Sequence, residues 1–188
     1  MKLNRALFPV VKNRIPCPSA FVAEMLEWSK TAPLRVFEMN ENPADIFGHM
    51  RGRFGPWNSV NARRGFLLAA MIVLAGWESS WDWNEGRDTS NPDVDTPEEI
   101  EAGAFQVSAN SMNFGPELRE AVRAIAGKTD PESFQHAMKT NHPLALTYIA
   151  MLLRRTVRHN GPVRDRKIVP AMKPELIAAW TMEAAGVV

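Results

Sequence analysis

The sequence predicts a mostly α-helical domain, interrupted once by an irregular acidic loop or short hairpin. Three observations lead there. Apolar residues recur at helical spacing through most of the chain, prolines stand where helices would open, and the run from Glu78 to Glu101 replaces that periodicity with turn residues and acids. At 188 residues, 45% apolar and 23% charged, the chain can bury one core of ordinary size, which excludes wholesale disorder and fibrous repeats.

Residues 1–60 hold Pro9, Pro16, Pro18, Pro33, Pro43 and Pro56, leaving room for short helices such as 19–30, where Ser19 caps a run containing Phe21, Val22, Met25 and Leu26. From Phe47 to Asn58, FGHMRGRFGPWN carries three glycines and a proline and reads as an exposed loop. Ser59 or Asn61 then caps the most apolar helix, which runs through Arg63 and Arg64 to about Trp77. Its stretch FLLAAMIVLAGW spans Phe66 to Trp77, where a bilayer needs about 20 residues, so it reads as a core helix and no membrane insertion is expected. Helices opened by proline follow over 116–126, 131–140, 143–158 and 174–185.

The start, MKLNRALFPVVKNR, has Lys2 and Arg5, but Pro9 and Lys12 cut its apolar stretch too short for a signal peptide, so synthesis in the cytoplasm is expected. A single cysteine, Cys17, forms no internal disulfide and no thiolate zinc cluster. His49, His136, His142 and His159 have no metal-ligand spacing, and neither a metal nor a cofactor is expected.

The net charge of +1 gives no bulk attraction to nucleic acid, which is not expected as a partner. It conceals an asymmetry. Nine acids (Glu78, Asp82, Glu85, Asp88, Asp93, Asp95, Glu98, Glu99, Glu101) face one base, Arg87, over residues 78–101, a local charge of −8 in a body of +9. A solvated acidic loop is the ordinary reading of such a run, and its spacing fits no EF-hand. Its starting point is what sets it apart. Glu78 stands at the C-terminal end of the apolar helix among Trp77, Trp81 and Trp83, where low polarity and the negative end of the helix dipole both favour a protonated carboxyl. One more helical turn would put Asp82 on the same face at i+4, raising the Glu78 pKa further. A proton-donating carboxyl beside ionised carboxylates is the arrangement that glycosidic bond cleavage requires.

Glu78-Ser79-Ser80, then Gly86-Arg87-Asp88, then Glu101-Ala102-Gly103-Ala104-Phe105-Gln106-Val107-Ser108 resemble the catalytic region of the lysozyme-like superfamily, closest to goose-type lysozymes and soluble lytic transglycosylases. Those families follow a Glu-Ser motif at a helix end with a Gly-x-x-Gln stretch, which Gly103-Ala104-Phe105-Gln106 fits. The fuller pattern is also similar to that of a set of bacterial and fungal proteins. The likeness covers roughly residues 62–113, with Arg158-His159-Asn160-Gly161-Pro162-Val163 resembling a late cleft turn; residues 1–60 have no counterpart.

The resemblance implies a single lysozyme-like domain over 1–188, with 1–60 an N-terminal helical extension and 61–188 the catalytic core. It implies a muramidase that cleaves the MurNAc–GlcNAc β-1,4 bond of peptidoglycan, with Glu78 as general acid. Pro97 takes the gap-free equivalent of the second acid of goose-type enzymes, so the second carboxylate is left among Asp88, Asp95 and Glu101. Gln106 and Ser108 would hydrogen-bond in the cleft; Trp57, Trp81 and Trp83 are stacking candidates, although tryptophans at such spacing are more often core; Tyr148 sits on an apolar helix where burial is the default, with its hydroxyl able to reach toward the acid; and Asn160 would line the late turn. A lytic transglycosylase, a chitosanase or chitinase, and a non-catalytic glycan-binding scaffold remain open alternatives. An antibacterial effector or phage lysin of this kind would act in the periplasm or wall of a target cell after delivery. An effector's producer would carry an immunity protein that plugs the cleft.

Overall fold

The computed structural model describes residues 5–12, 16–87 and 96–186. It is mostly helical. Helix α1 spans Ser19–Thr31, α2 Ile46–Phe54, α3 Val60–Glu78, α4 Pro116–Ala126, α5 Pro131–Thr140, α6 His142–Arg155, α7 Gly161–Arg164 and α8 Pro174–Ala184. Between α3 and α4 lies a two-stranded antiparallel hairpin, β1 (Glu101–Ala102) with β2 (Val107–Ser108), in which Glu101 pairs with Ser108 and Ala102 with Val107.

Helix α3 is the axis of the core. Ser59 caps it by accepting a hydrogen bond from the Ala62 N–H at 3.1 Å, and every residue from Gly65 to Gly76 is buried. At 19 residues it is longer than its apolar stretch alone suggests, and by length and composition it passes for a membrane span; its burial inside the protein makes it a core helix. Helix α8 lies directly along it. A side chain on Gly65 would sit 2.1 Å from the Thr181 hydroxyl and 2.6 Å from its backbone nitrogen, so this close approach of two helices requires glycine.

Of the segment 47–58, residues 47–54 are helical and only 55–58 form a loop. Ile46–Phe54 is helical because Asp45 caps it, accepting from the Gly48 N–H at 2.6 Å, and because Ile46, Phe47 and Met50 fall on one buried face. The first sixty residues share the hydrophobic cluster of the rest: Leu7, Phe21, Met25, Phe37 and Phe47 are fully or almost fully buried in it.

Candidate functional site

Helix α3 ends at Glu78, and the next residue determines where that end sits. The Ser79 N–H closes the last turn on the Ala75 carbonyl at 3.0 Å. Its hydroxyl lies 2.9 Å from the Ala104 carbonyl and 3.2 Å from that of Ala75, and accepts from the Asp82 N–H at 3.1 Å. Across the same junction the Gly103 N–H donates to the Glu85 carbonyl at 2.9 Å. Gly103 has φ of 74°, and a Cβ there would meet the Met138 carbonyl oxygen at 2.7 Å, so backbone conformation and space both demand glycine. The Glu-Ser-Ser motif and the Gly-x-x-Gln stretch are thus bonded to each other.

Backbone strain collects at this junction. Five described non-glycine residues have left-handed backbone, and three of them are Ser80 (φ 61°), Trp81 (φ 65°) and Gln106 (φ 44°). Each such residue costs about 1–2 kcal/mol, and strain of this kind clusters at functional sites. Local bonds offset the cost: the Trp81 indole N–H donates to the Ile72 carbonyl at 2.8 Å, and the Gln106 side-chain amide donates to the Gly103 carbonyl at 3.0 Å. The left-handed turn also ends the helix at Glu78, so the further turn that would bring Asp82 onto the same face does not form. Asp82 is therefore exposed, accepting from the Asn84 N–H at 2.8 Å, and does not follow Glu78 at i+4.

Several expected sugar contacts are corrected by burial. Trp81 is 4% exposed, because its left-handed backbone turns the indole back onto α3, where a Cβ on Gly76 would lie 2.3 Å from the ring. It is a core residue and not a stacking platform. Tyr148 is fully buried against Phe134, with its hydroxyl 2.6 Å from that of Ser111. Because Ser111 donates to the Ser108 carbonyl at 2.6 Å, Tyr148 supplies the proton of its own bond, and burial pushes its phenol well above the usual range. It braces the segment after β2.

Gln106 is 8% exposed with its amide N–H spent on Gly103, and Ser108 is buried with its hydroxyl donating to Asn110 Oδ1 at 2.8 Å. Both hold the hairpin to which Ser79 is bonded. Asn160 is 2% exposed, its carbonyl accepts from the Val163 and Arg164 N–H groups, and its Nδ2 has no partner among the described residues. Glu101 is half-buried on β1, two residues from Gly103. Asp88 and Asp95, the other two acids proposed as second carboxylate, lie outside the described residues.

The N-terminal segment supplies part of this region. Phe21 stacks on Trp83 with ring centroids 4.8 Å apart and lies 6.3 Å from Phe105, beside the hairpin turn. Trp83 also stacks on His142 at 4.1 Å, and His142 Nδ1 shares a short hydrogen bond with the Glu24 carboxylate. Lys12 places its ammonium 4.1 Å from the centre of the Trp77 ring, one residue before the acid. Sequence reasoning missed Ser79 as the anchoring residue; its place immediately after a helix end, where hydroxyl residues bond nearby backbone, was the available signal. Among the described residues no group of three His, Cys, Asp or Glu is placed to hold a metal ion. Comparison with protein-family models, curated proteins and solved structures gives no match.

Proposed function

We propose that this protein is a muramidase-type glycoside hydrolase that cleaves the MurNAc–GlcNAc β-1,4 bond of peptidoglycan, with Glu78 as the general acid. The observation that supports this reading most directly is the junction itself. A glutamate ends a buried apolar helix, its neighbour Ser79 is bonded to the Gly103–Gln106 turn, and strained backbone lies on both sides.

In this reading the Glu78 carboxyl gives its proton to the glycosidic oxygen as the bond from that oxygen to the sugar C1 breaks. A water adds its oxygen to C1 from the opposite face and passes a proton to a second carboxylate, which needs to stand about 6.5–9.5 Å from the first. Glu101 is the described candidate for that role. If the muramic acid 6-hydroxyl attacks instead of water, Glu78 takes back a proton and the product is an anhydrosugar. The +9 charge outside the acidic segment suits an anionic wall polymer. Delivery to a target cell, and an immunity protein seated over Glu78 in the producer, complete the proposal.

Digestion of purified peptidoglycan and of chitosan by wild type and Glu78→Gln, read by mass spectrometry, tests it. Reducing muropeptides from the wild type and a loss of about 10³-fold in the variant support the hydrolase. Anhydro ends indicate the transglycosylase route, and chitosan oligomers move the substrate to chitosan. Glycan binding without products, or near-full turnover by Glu78→Gln, overturns the assignment.

A further inference from the structure

A polar cavity lies at the other end of α3. It has a volume of about 290 Å³, and its polar lining is Arg35, Asn40, Asn42, Glu117, Arg154 and Arg155. Arg63, in the first turn of α3, donates to the Phe37 carbonyl at 2.6 Å, and the adjoining Val36 carbonyl accepts from Arg154 at 2.7 Å, which fixes the cavity at the start of the helix. With 19 residues rising ~1.5 Å each, that start is roughly 25 Å from Glu78.

The cavity has an excess of cationic donors. Arg154 is 7% exposed; its Nε donates to Asp45 at 3.0 Å, its Nη1 donates to the Val36 and Arg35 carbonyls, and its Nη2 has no hydrogen-bond partner among the described residues. The Arg35 guanidinium donates to the Met151 thioether at 3.7 Å and, among the described residues, has no other hydrogen-bond acceptor and no carboxylate within ion-pair distance. Arg155 spends Nε on the Phe114 carbonyl at 2.7 Å and comes no nearer than 3.9 Å to Glu117. Three guanidiniums thus share one rim carboxylate, while Asp45 sits behind Arg154. Burial pulls the Arg154 pKa down against the opposing carboxylates of Asp45 and Glu38, and Arg63 adds to the pull.

We propose that this cavity is a binding site for an oxyanion, a phosphate or carboxylate group, held by Arg35, Arg154 and Arg155. Guanidinium forks match the two-oxygen edge of both groups, and the burial of Arg154 strengthens its charge-assisted bond relative to water, with the exposed Arg35 and Arg155 closing on the same group from the rim. The Asn40 side chain is a further donor, since its Oδ1 accepts from the Asn42 N–H at 3.0 Å while its amide nitrogen lacks a partner among the described residues. The site is independent of the hydrolase reading, because none of its residues belongs to the Glu78 junction.

The test is titration of the full chain with sodium phosphate, sodium acetate and sodium chloride at matched ionic strength, read by calorimetry and by melting temperature. Saturable binding of phosphate or acetate, absent with chloride, is expected, and the tighter of the two assigns the group. Arg35→Ala combined with Arg155→Ala is expected to weaken that binding at least about tenfold. Asn40→Asp, on an exposed segment, places a carboxylate at the rim and is expected to abolish it without unfolding the protein. Equal responses to all three salts, or saturable binding that survives both variants, overturns the proposal.

Discussion

The two ends of α3 are built against the same rule in opposite ways. Cations disfavour a helix N-terminus and anions a C-terminus, yet this helix opens with Arg63 and Arg64 and closes with Glu78. At the basic end each arginine is absorbed by carbonyl oxygens: Arg63 by Phe37 and Trp57, Arg64 by Ala184, with the Arg64 guanidinium 4.7 Å from the centre of the Phe37 ring. The acidic end relies instead on the hydroxyl of Ser79 and on left-handed backbone. The mismatch is tolerated because it is small. A terminal charge against the dipole costs about 0.3–1 kcal/mol, whereas each large buried side chain of α3, from Phe66 through Leu74, stabilises the fold by roughly 1.5–3 kcal/mol. Burial therefore leaves both termini free to carry charges chosen for something other than stability.

Replacing charges at the two ends should separate function from folding. The largest effect belongs to the acidic end, where Glu78→Gln is expected to lower peptidoglycan turnover by about 10³-fold while the circular dichroism spectrum stays native. At the basic end the expected damage is to stability. Asp45→Ala leaves buried Arg154 without its counter-ion and should cost about 3–5 kcal/mol in urea unfolding, because removal of one partner strands the other. Next is Gly76→Ala, expected to cost about 3 kcal/mol, since the Trp81 ring it would strike is pinned by its bond to Ile72.

The smallest effect is a pH dependence. Burial pulls His159 from 6.5 down to about 4, so below pH 6.5 the unfolded chain takes up a proton that the folded one refuses. Stability from this group is complete above pH 6.5, falls as the pH drops toward 4, and amounts to about 2 kcal/mol after allowance for the partial exposure of the ring. His159→Gln should remove that share of the decline in melting temperature between pH 7 and 4. A parallel decline in both proteins would assign the acid limb to other groups.

Most helices were legible because their signals are local. Ser59 as a cap and the prolines opening α4, α5 and α8 fall where the sequence puts them, and α6 starts one residue before Pro143, with Asn141 accepting from the Leu144 N–H. Helix α2 was obscured by counting glycines. Gly48 serves close packing, since a Cβ there would lie 2.9 Å from the Pro43 carbonyl oxygen, and the decisive cues were the Asp45 cap and the Ile46, Phe47, Met50 spacing. At the candidate site, Glu78 and the Gly103–Gln106 stretch were legible as motifs. That the Trp81 ring folds back onto α3 was not, because it depends on a left-handed turn; the burial of Tyr148 follows from its apolar helix, but its hydroxyl partner Ser111 lies 37 residues away. The pairing of Arg154 with Asp45 spans 109 residues and leaves no trace in local spacing.

Ser79 offers one hydrogen to two carbonyls, so the end of α3 and the hairpin turn compete for a single proton. The backbone beside residue 78 is thereby fastened through the hydroxyl of Ser79. Position 79 is accordingly the rivet of the motif: removing its oxygen would loosen the helix end and the hairpin turn in one stroke.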